Sequence, residues 1–396
     1  MPPIPRYRAA ADPAVLSAGF RPFFLLAGLA AAIAIPLWLA DFAGAIAIPS
    51  AFAPLVWHVH EMVFGFGLAA LAGFLFTAVP NWTGRMPLQG AALGVLVLVW
   101  LAGRVAVFVS AAIGAGTAAA IDLAFPALLL GAIGREILTG RNWRNLPVLG
   151  ALAALLAADA WADLAVAGIV AHPLMGCRAG VAVLLSLIAM MGGRLAPSFT
   201  RNWLARMDPE GAMPAPFGKL DRAALAATPV AAAAWALAPD SAASAWTALV
   251  AGALLLARLA RWQGARSRRE PLLLVLHLGY CWLGAGFLWL GIADLTGWMA
   301  PADAAHALTV GAVGSMILGV MTRATLGHTG QALHAGAGTV AAYALIGIAA
   351  LLRLAAALAG AWTLALLDLA GAAWSLGFAL FVVLYAPLLL RPRARR

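Results

Sequence analysis

Pro54-Leu-Val-Trp57-His58-Val-His60-Glu61-Met62-Val-Phe-Gly65 opens an apolar run that closes at Pro80-Asn81-Trp82-Thr83-Gly84-Arg85. Two imidazoles and a carboxylate therefore stand at the mouth of a segment that otherwise reads as lipid-spanning. Burial of an ionisable side chain in hydrocarbon costs free energy, so such a residue is first of all a functional hypothesis. Imidazole is also a common ligand for haem iron and for copper. The plain alternative is a pair of wetted interfacial histidines.

The rest of the chain supports the lipid-spanning reading. Of 396 residues, 64% are hydrophobic and 10% are charged, an excess of apolar surface that a polytopic membrane protein needs and a soluble one does not. The formal charge of +10 comes from 25 basic and 15 acidic residues. It lies in short connections, where lysine and arginine set membrane orientation, and it does not mark a nucleic-acid partner. Cys177 and Cys281 both fall in predicted spans, which argues against a disulfide framework. Phe20–Ala40 is too long for a signal peptide.

Apolar runs long enough to cross a bilayer of ~30 Å recur along the whole sequence. They are Phe20–Ala40, Trp57–Val79, Leu88–Ser110, Ala115–Ile133, Leu146–Gly168 and Leu174–Leu195 in the first half. Ala223–Leu237, Ala243–Arg261, Leu272–Ala293, Ala305–Leu326, Thr339–Leu358 and Trp362–Leu390 follow. The expectation is an all-α polytopic protein of about twelve transmembrane helices, a single membrane domain over 1–396. Arg6 and Arg8, Arg85, Arg135 to Arg144, Arg201 to Lys219, Arg266 to Arg269 and Arg391 to Arg396 fall on one set of connections. Asp41, Asp163, Asp240, Asp294 and Asp303 fall on the other. Both termini are thus expected in the cytoplasm.

An internal repeat is also legible. The interval from His60 to Thr83-Gly84 equals that from His306 to Thr329-Gly330; Gly65 matches Gly311 and Gly73 matches Gly319. Pro197 to Trp203 ends the sixth span much as Pro80 to Trp82 ends the second. We read three four-helix units, 18–140, 145–262 and 270–391, although a chain so rich in Gly and Ala makes chance matches cheap. Repeats of this kind place functional sites at their interfaces in membrane folds.

On this reading His60 and His306 occupy equivalent depths on two helices and form a pair able to clamp one haem iron. Gly65, Gly67, Gly311 and Gly314 would admit a flat macrocycle, or would simply let helices pack closely. His58 and His60 point ~200° apart on a regular helix, so both cannot reach one iron from it. One of the two is a candidate haem ligand while the other faces a second metal, a propionate or Glu61, unless the helix starts only at His60 and leaves His58 on a loop able to bend inward. His277, Arg323 and His328 gather on the inner half, as a second metal site or an anion pocket, or with His277 merely bonded to a carbonyl. Arg21 and Arg104 are candidates for holding haem propionates. His172 and His334 read as bystanders. No nucleotide-phosphate loop, Ser-His-Asp order or CxxC spacing appears, so hydrolase and ATPase readings have no support.

At these residues the chain resembles the NnrS family of bacterial membrane proteins. The likeness rests on Gly19-Phe20-Arg21-Pro22-Phe23-Phe24, Trp57 to Met62, Val79 to Arg85, Gly193-Arg194 through Trp203, His277 to Tyr280 and His306 to Gly330. It implies a haem b- and copper-containing protein of the cytoplasmic membrane, linked to nitric oxide metabolism and nitrosative stress, with an unknown electron donor. Gln331 departs from the basic residue expected there. Twelve helices with histidines on the second and tenth also resemble the haem–copper oxidase core, by fold analogy alone. The adjacent His-His pair of that superfamily is absent, which leaves a complete dinuclear centre, and any assigned reaction, without support. The competing readings are a transporter of a metal ion, haem or small anion, and a sensor whose metal reports ligand.

Overall fold

A computed structural model describes residues 13–392; Arg6, Arg8 and the last four residues lie outside them. Among the described residues there is no strand. Twelve long helices follow one another: α1 Phe20–Phe42, α2 Pro54–Thr83, α3 Ala91–Phe108, α4 Ala115–Thr139, α5 Leu146–Val166 and α6 Pro173–Met207. Then come α7 Lys219–Leu237, α8 Ala242–Ala260, α9 Pro271–Thr296, α10 Pro301–Thr329, α11 Ala337–Ala356 and α12 Thr363–Leu390. Eleven are long and apolar enough to cross a membrane. The other is α7, where Lys219, Asp221 and Arg222 crowd the first turn, in place of the short seventh span expected over 223–237.

The helices start and stop where local chemistry dictates. Pro54, Pro271 and Pro301 occupy first turns, where a missing N–H costs nothing and the fixed φ suits a helix. Gly84 (φ 72°) ends α2, its N–H returning to the Pro80 carbonyl; a side chain would strain that left-handed turn.

The chain forms two compact units. The first comprises 1–180, 324–332 and 381–396, and the second 181–323 with 333–380. In the first unit small residues let backbones meet: a methyl on Gly176 of α6 would lie 2.6 Å from the Ala158 carbonyl oxygen and the Ala162 nitrogen of α5. In the second, a methyl on Gly252 of α8 would lie 2.7 Å from the Gly284 carbonyl oxygen of α9. Close approach at small residues is how helices associate in lipid, where burial of apolar surface gives no drive.

Two helices depart from α geometry. After His60, Glu61–Gly67 winds as a π-helix, and after His306, Ala307–Gly314 does the same. Such wide turns cluster at functional sites, because they loosen the backbone ladder and re-aim side chains. In the first of them the Gly65 carbonyl accepts from the Leu68 N–H and also from Trp100 Nε1, the latter at 3.3 Å.

Candidate metal centre around His60

His60 is wholly buried in the first unit. Its Nε2 lies 3.0 Å from Asp159 Oδ1, 3.2 Å from Asp163 Oδ1 and 3.4 Å from Asp122 Oδ2. Its Nδ1 lies 3.6 Å from Glu61 Oε1. All four carboxylates are buried. The rings of Phe52 and Phe64 wall the imidazole, with centroids 4.9 and 5.1 Å away.

Each group arrives for a local reason. The π-turn changes the angular step after His60, and Glu61 is buried beside it. Asp159 and Asp163 are four residues apart on α5, hence on one face. Asp122 sits in α4 where Pro126, lacking an N–H, returns no bond to its carbonyl; the regular helix is interrupted at Leu123. Gly103 of α3 has no side chain to collide with Asp122, whose Oδ1 would lie 2.5 Å from an added methyl. Arg104, next in α3, bridges two of the carboxylates: Nη1 donates to Glu61 Oε1 at 2.6 Å and Nη2 donates to Asp122 Oδ1.

The charges are not balanced within the cluster. Four carboxylates face one guanidinium, and both ring nitrogens of His60, both oxygens of Asp159 and Asp163, and Oδ2 of Asp122 lack a hydrogen-bond partner among the described residues. The contacts to His60 are within ion-pair distance but none has hydrogen-bond geometry. Buried polar atoms are ordinarily paired, so several orphans in one place call for an explanation.

A second buried charge, Arg258 of α8, shows what a satisfied cluster looks like. Its Nε donates to Asp221 Oδ1 at 2.8 Å, and Nη1 donates to the Ala189 carbonyl at 2.9 Å and to Tyr280 Oη at 2.8 Å. Asp221 Oδ2 also accepts from Arg261 Nη1 at 2.9 Å, so this cluster, within the second unit, leaves neither Asp221 oxygen without a partner and serves structure.

The other expected site residues have separate surroundings. His58 faces away from the carboxylates and stacks on Trp38 at 4.1 Å, as the ~200° divergence requires. His306 is half-buried in the second unit and its Nδ1 hydrogen-bonds the Ala302 carbonyl at 2.9 Å. The glycines after it are occupied: an added methyl on Gly311 would meet Trp282 and one on Gly314 would meet Trp374. His277 donates from Nε2 to Thr200 Oγ1 at 2.8 Å, since that hydroxyl is already committed to the Ala196 carbonyl. Arg323 lies over the Phe199 ring at 4.1 Å, and His328 packs 5.5 Å from the Phe20 ring. Arg21 donates to the Leu388, Leu389 and Arg391 carbonyls at the end of α12.

Sequence reasoning missed Asp122, Asp159 and Asp163. Asp163, expected in a connection, is instead buried within α5; Asp294, also expected in a connection, lies within α9. The available signal was a pair of aspartates one turn apart inside an apolar span, which lipid does not tolerate without a purpose.

Among comparisons with known proteins, the family model described as NnrS protein matches residues 14–393. No curated protein matches the chain.

Proposed function

We propose, from the premise that the chain belongs to the NnrS family, that it serves the nitric oxide response as a metal-dependent protein of the bacterial cytoplasmic membrane, with both termini cytoplasmic. Membership supports the role in nitric oxide response at the level of the family. The observation that carries the metal dependence is the buried His60 centre in the second of the membrane-length helices, where unbalanced charge has no structural use. Small gaseous ligands and an electron donor are the partners this reading implies.

Haem b and copper are the cofactors the resemblance implies, and the residues answer differently for each. We place no haem iron on His60, because carboxylates crowd Nε2 and aromatic rings wall the imidazole. Arg104 is engaged by Glu61 and Asp122 and Arg21 by carbonyls, so neither is offered as a propionate partner. His306 would hold haem iron or copper better: a bond from Nδ1 to the Ala302 carbonyl fixes the tautomer and puts the lone pair on Nε2, the usual support of a metal-binding imidazole. A haem, when bound, supplies a redox-active iron that nitric oxide can ligate.

The three four-helix repeats stay within this reading, supported by the matching π-turns after His60 and His306. Those turns also favour a second reading, transport, since interrupted helices near the membrane midplane hold cargo in many transporters.

The test uses bacteria lacking a relative of this chain and challenged with a nitric oxide donor. The wild-type protein should improve survival and His60→Ala should not. Equal survival with and without the wild-type protein contradicts the proposal, and metal uptake by vesicles carrying it would favour transport.

A further inference from the structure

We propose that His60, Asp122, Asp159 and Asp163 together hold one non-haem divalent first-row metal ion of the oxygen-accepting kind: iron(II), manganese(II) or zinc(II). The inference rests on the reading of the His60 centre as the working site and gives it a ligand set.

The spacing is that of a coordination shell. One donor atom from each of the four residues lies within 4.8 Å of the others. Bonds of about 2.0–2.2 Å to nitrogen and oxygen place neighbouring ligands about 2.8 Å apart at right angles and about 3.6 Å apart at the tetrahedral angle. The three distances from His60 Nε2, 3.0, 3.2 and 3.4 Å, fall within that interval. Hydrogen bonding does not explain them, because one N–H serves one acceptor well and here three carboxylates converge on one nitrogen.

The charge argument is independent. With every carboxylate ionised, the centre carries four negative charges and only Arg104 to offset them. Uncompensated charge inside a protein is expensive enough that the group either pairs or changes its protonation. A doubly charged cation leaves a single residual negative, and it gives a partner to one orphaned atom of each of His60, Asp122, Asp159 and Asp163 at once.

The surroundings are built as a supporting shell. Arg104 holds Asp122 by Oδ1, which leaves Oδ2 turned to His60. Glu61 stands 3.6 Å from the Nδ1 side of the ring, where a carboxylate orients a metal-bound imidazole and raises its basicity. Phe52 and Phe64 give apolar walls. One imidazole and three carboxylates contain no thiolate or thioether, so the soft copper(I) ion is disfavoured and the harder divalent ions are preferred.

The experiment is cobalt(II) substitution of the full-length protein in detergent. After chelator treatment, the wild type should take up one cobalt(II) per chain with visible d–d absorption. His60→Ala and the near-isosteric Asp159→Asn and Asp163→Asn should each weaken binding by at least about tenfold, whereas His277→Ala and His172→Ala should not. Size-exclusion profile and helical circular dichroism establish that each variant is folded; if His60→Ala is not, the two asparagine variants decide the matter. Absence of cobalt(II) binding in the folded wild type, or unchanged binding in folded Asp159→Asn and Asp163→Asn, overturns the site. A wild type that protects cells from nitric oxide yet binds no cobalt(II) overturns the ligand set and leaves the functional proposal standing. Cobalt(II) binding without protection does the reverse.

Discussion

Asp159 and Asp163 stand one turn apart on α5 and both aim a carboxylate oxygen at Nε2 of His60, at 3.0 and 3.2 Å. Two anions that converge on one ring nitrogen, buried from water, repel each other unless something positive lies between them. The position of α5 therefore controls the centre, and α5 packs closely against α6 where Gly176 meets Ala158 and Ala162.

That contact gives the first prediction. Gly176→Val places branched carbon where the Ala158 carbonyl and Ala162 nitrogen already lie, and backbone atoms cannot yield as a flexible side chain can. The helices must part, carrying Asp159 and Asp163 from His60. Metal content per chain should fall together with the melting temperature, and a variant with full metal content would show that α5 is positioned otherwise.

Arg104 is the second. Replacing it with Met leaves Glu61 and Asp122 without their shared guanidinium, and breaking a buried pair from one side costs on the order of 3–5 kcal/mol. Arg104→Lys should recover only part of the loss, since a point charge does not reproduce a fork that spans two carboxylates. Thermal unfolding in detergent measures both; equal stability of wild type and Arg104→Met contradicts the bridging role.

For Arg258 the expectation separates structure from function. Arg258→Met removes one of the two guanidiniums on Asp221, the other being Arg261, and should cost about 1.5–3 kcal/mol, with the double variant Arg258→Met/Arg261→Met, which does strand Asp221, more destabilised than the single one. The folded fraction should keep its bound metal. Loss of metal from well-folded Arg258→Met would mean that the two clusters are not independent.

A fourth prediction concerns haem. His306→Ala should deplete a haem absorption band, while His60→Ala should retain it and lose the non-haem metal. The Soret band of each purified variant is the readout. Depletion in His60→Ala alone would return the iron to His60 and remove the argument from its carboxylate surroundings.

The membrane fold was legible because hydrocarbon thickness imposes a length on every apolar run, and α1, α2 and α9 to α12 fall close to the runs read from sequence. The seventh run was marginal because its charged first turn belongs to the helix and shortens its apolar part. His60 was legible as an imidazole where lipid should be. Its partners were not, because Asp122 and the Asp159–Asp163 pair come from helices far apart in sequence, and no local pattern announces which span they face. The π-turn after His60 was equally hidden: Gly65 and Gly67 suggest close approach, but nothing in them specifies a wider winding. The orientation reading placed Asp163 in a connection, but its burial within α5 is set by helix packing, which a count of loop charges does not register.

X-ray absorption at the edge of the metal retained by the purified protein tests the central claim most directly. Our account predicts a first shell of nitrogen and oxygen alone at about 2.0–2.2 Å, with outer-shell scattering from one imidazole, both lost in Asp159→Asn. A shell containing sulfur, a porphyrin pattern from the only metal present, or a folded protein with no metal at all would contradict it.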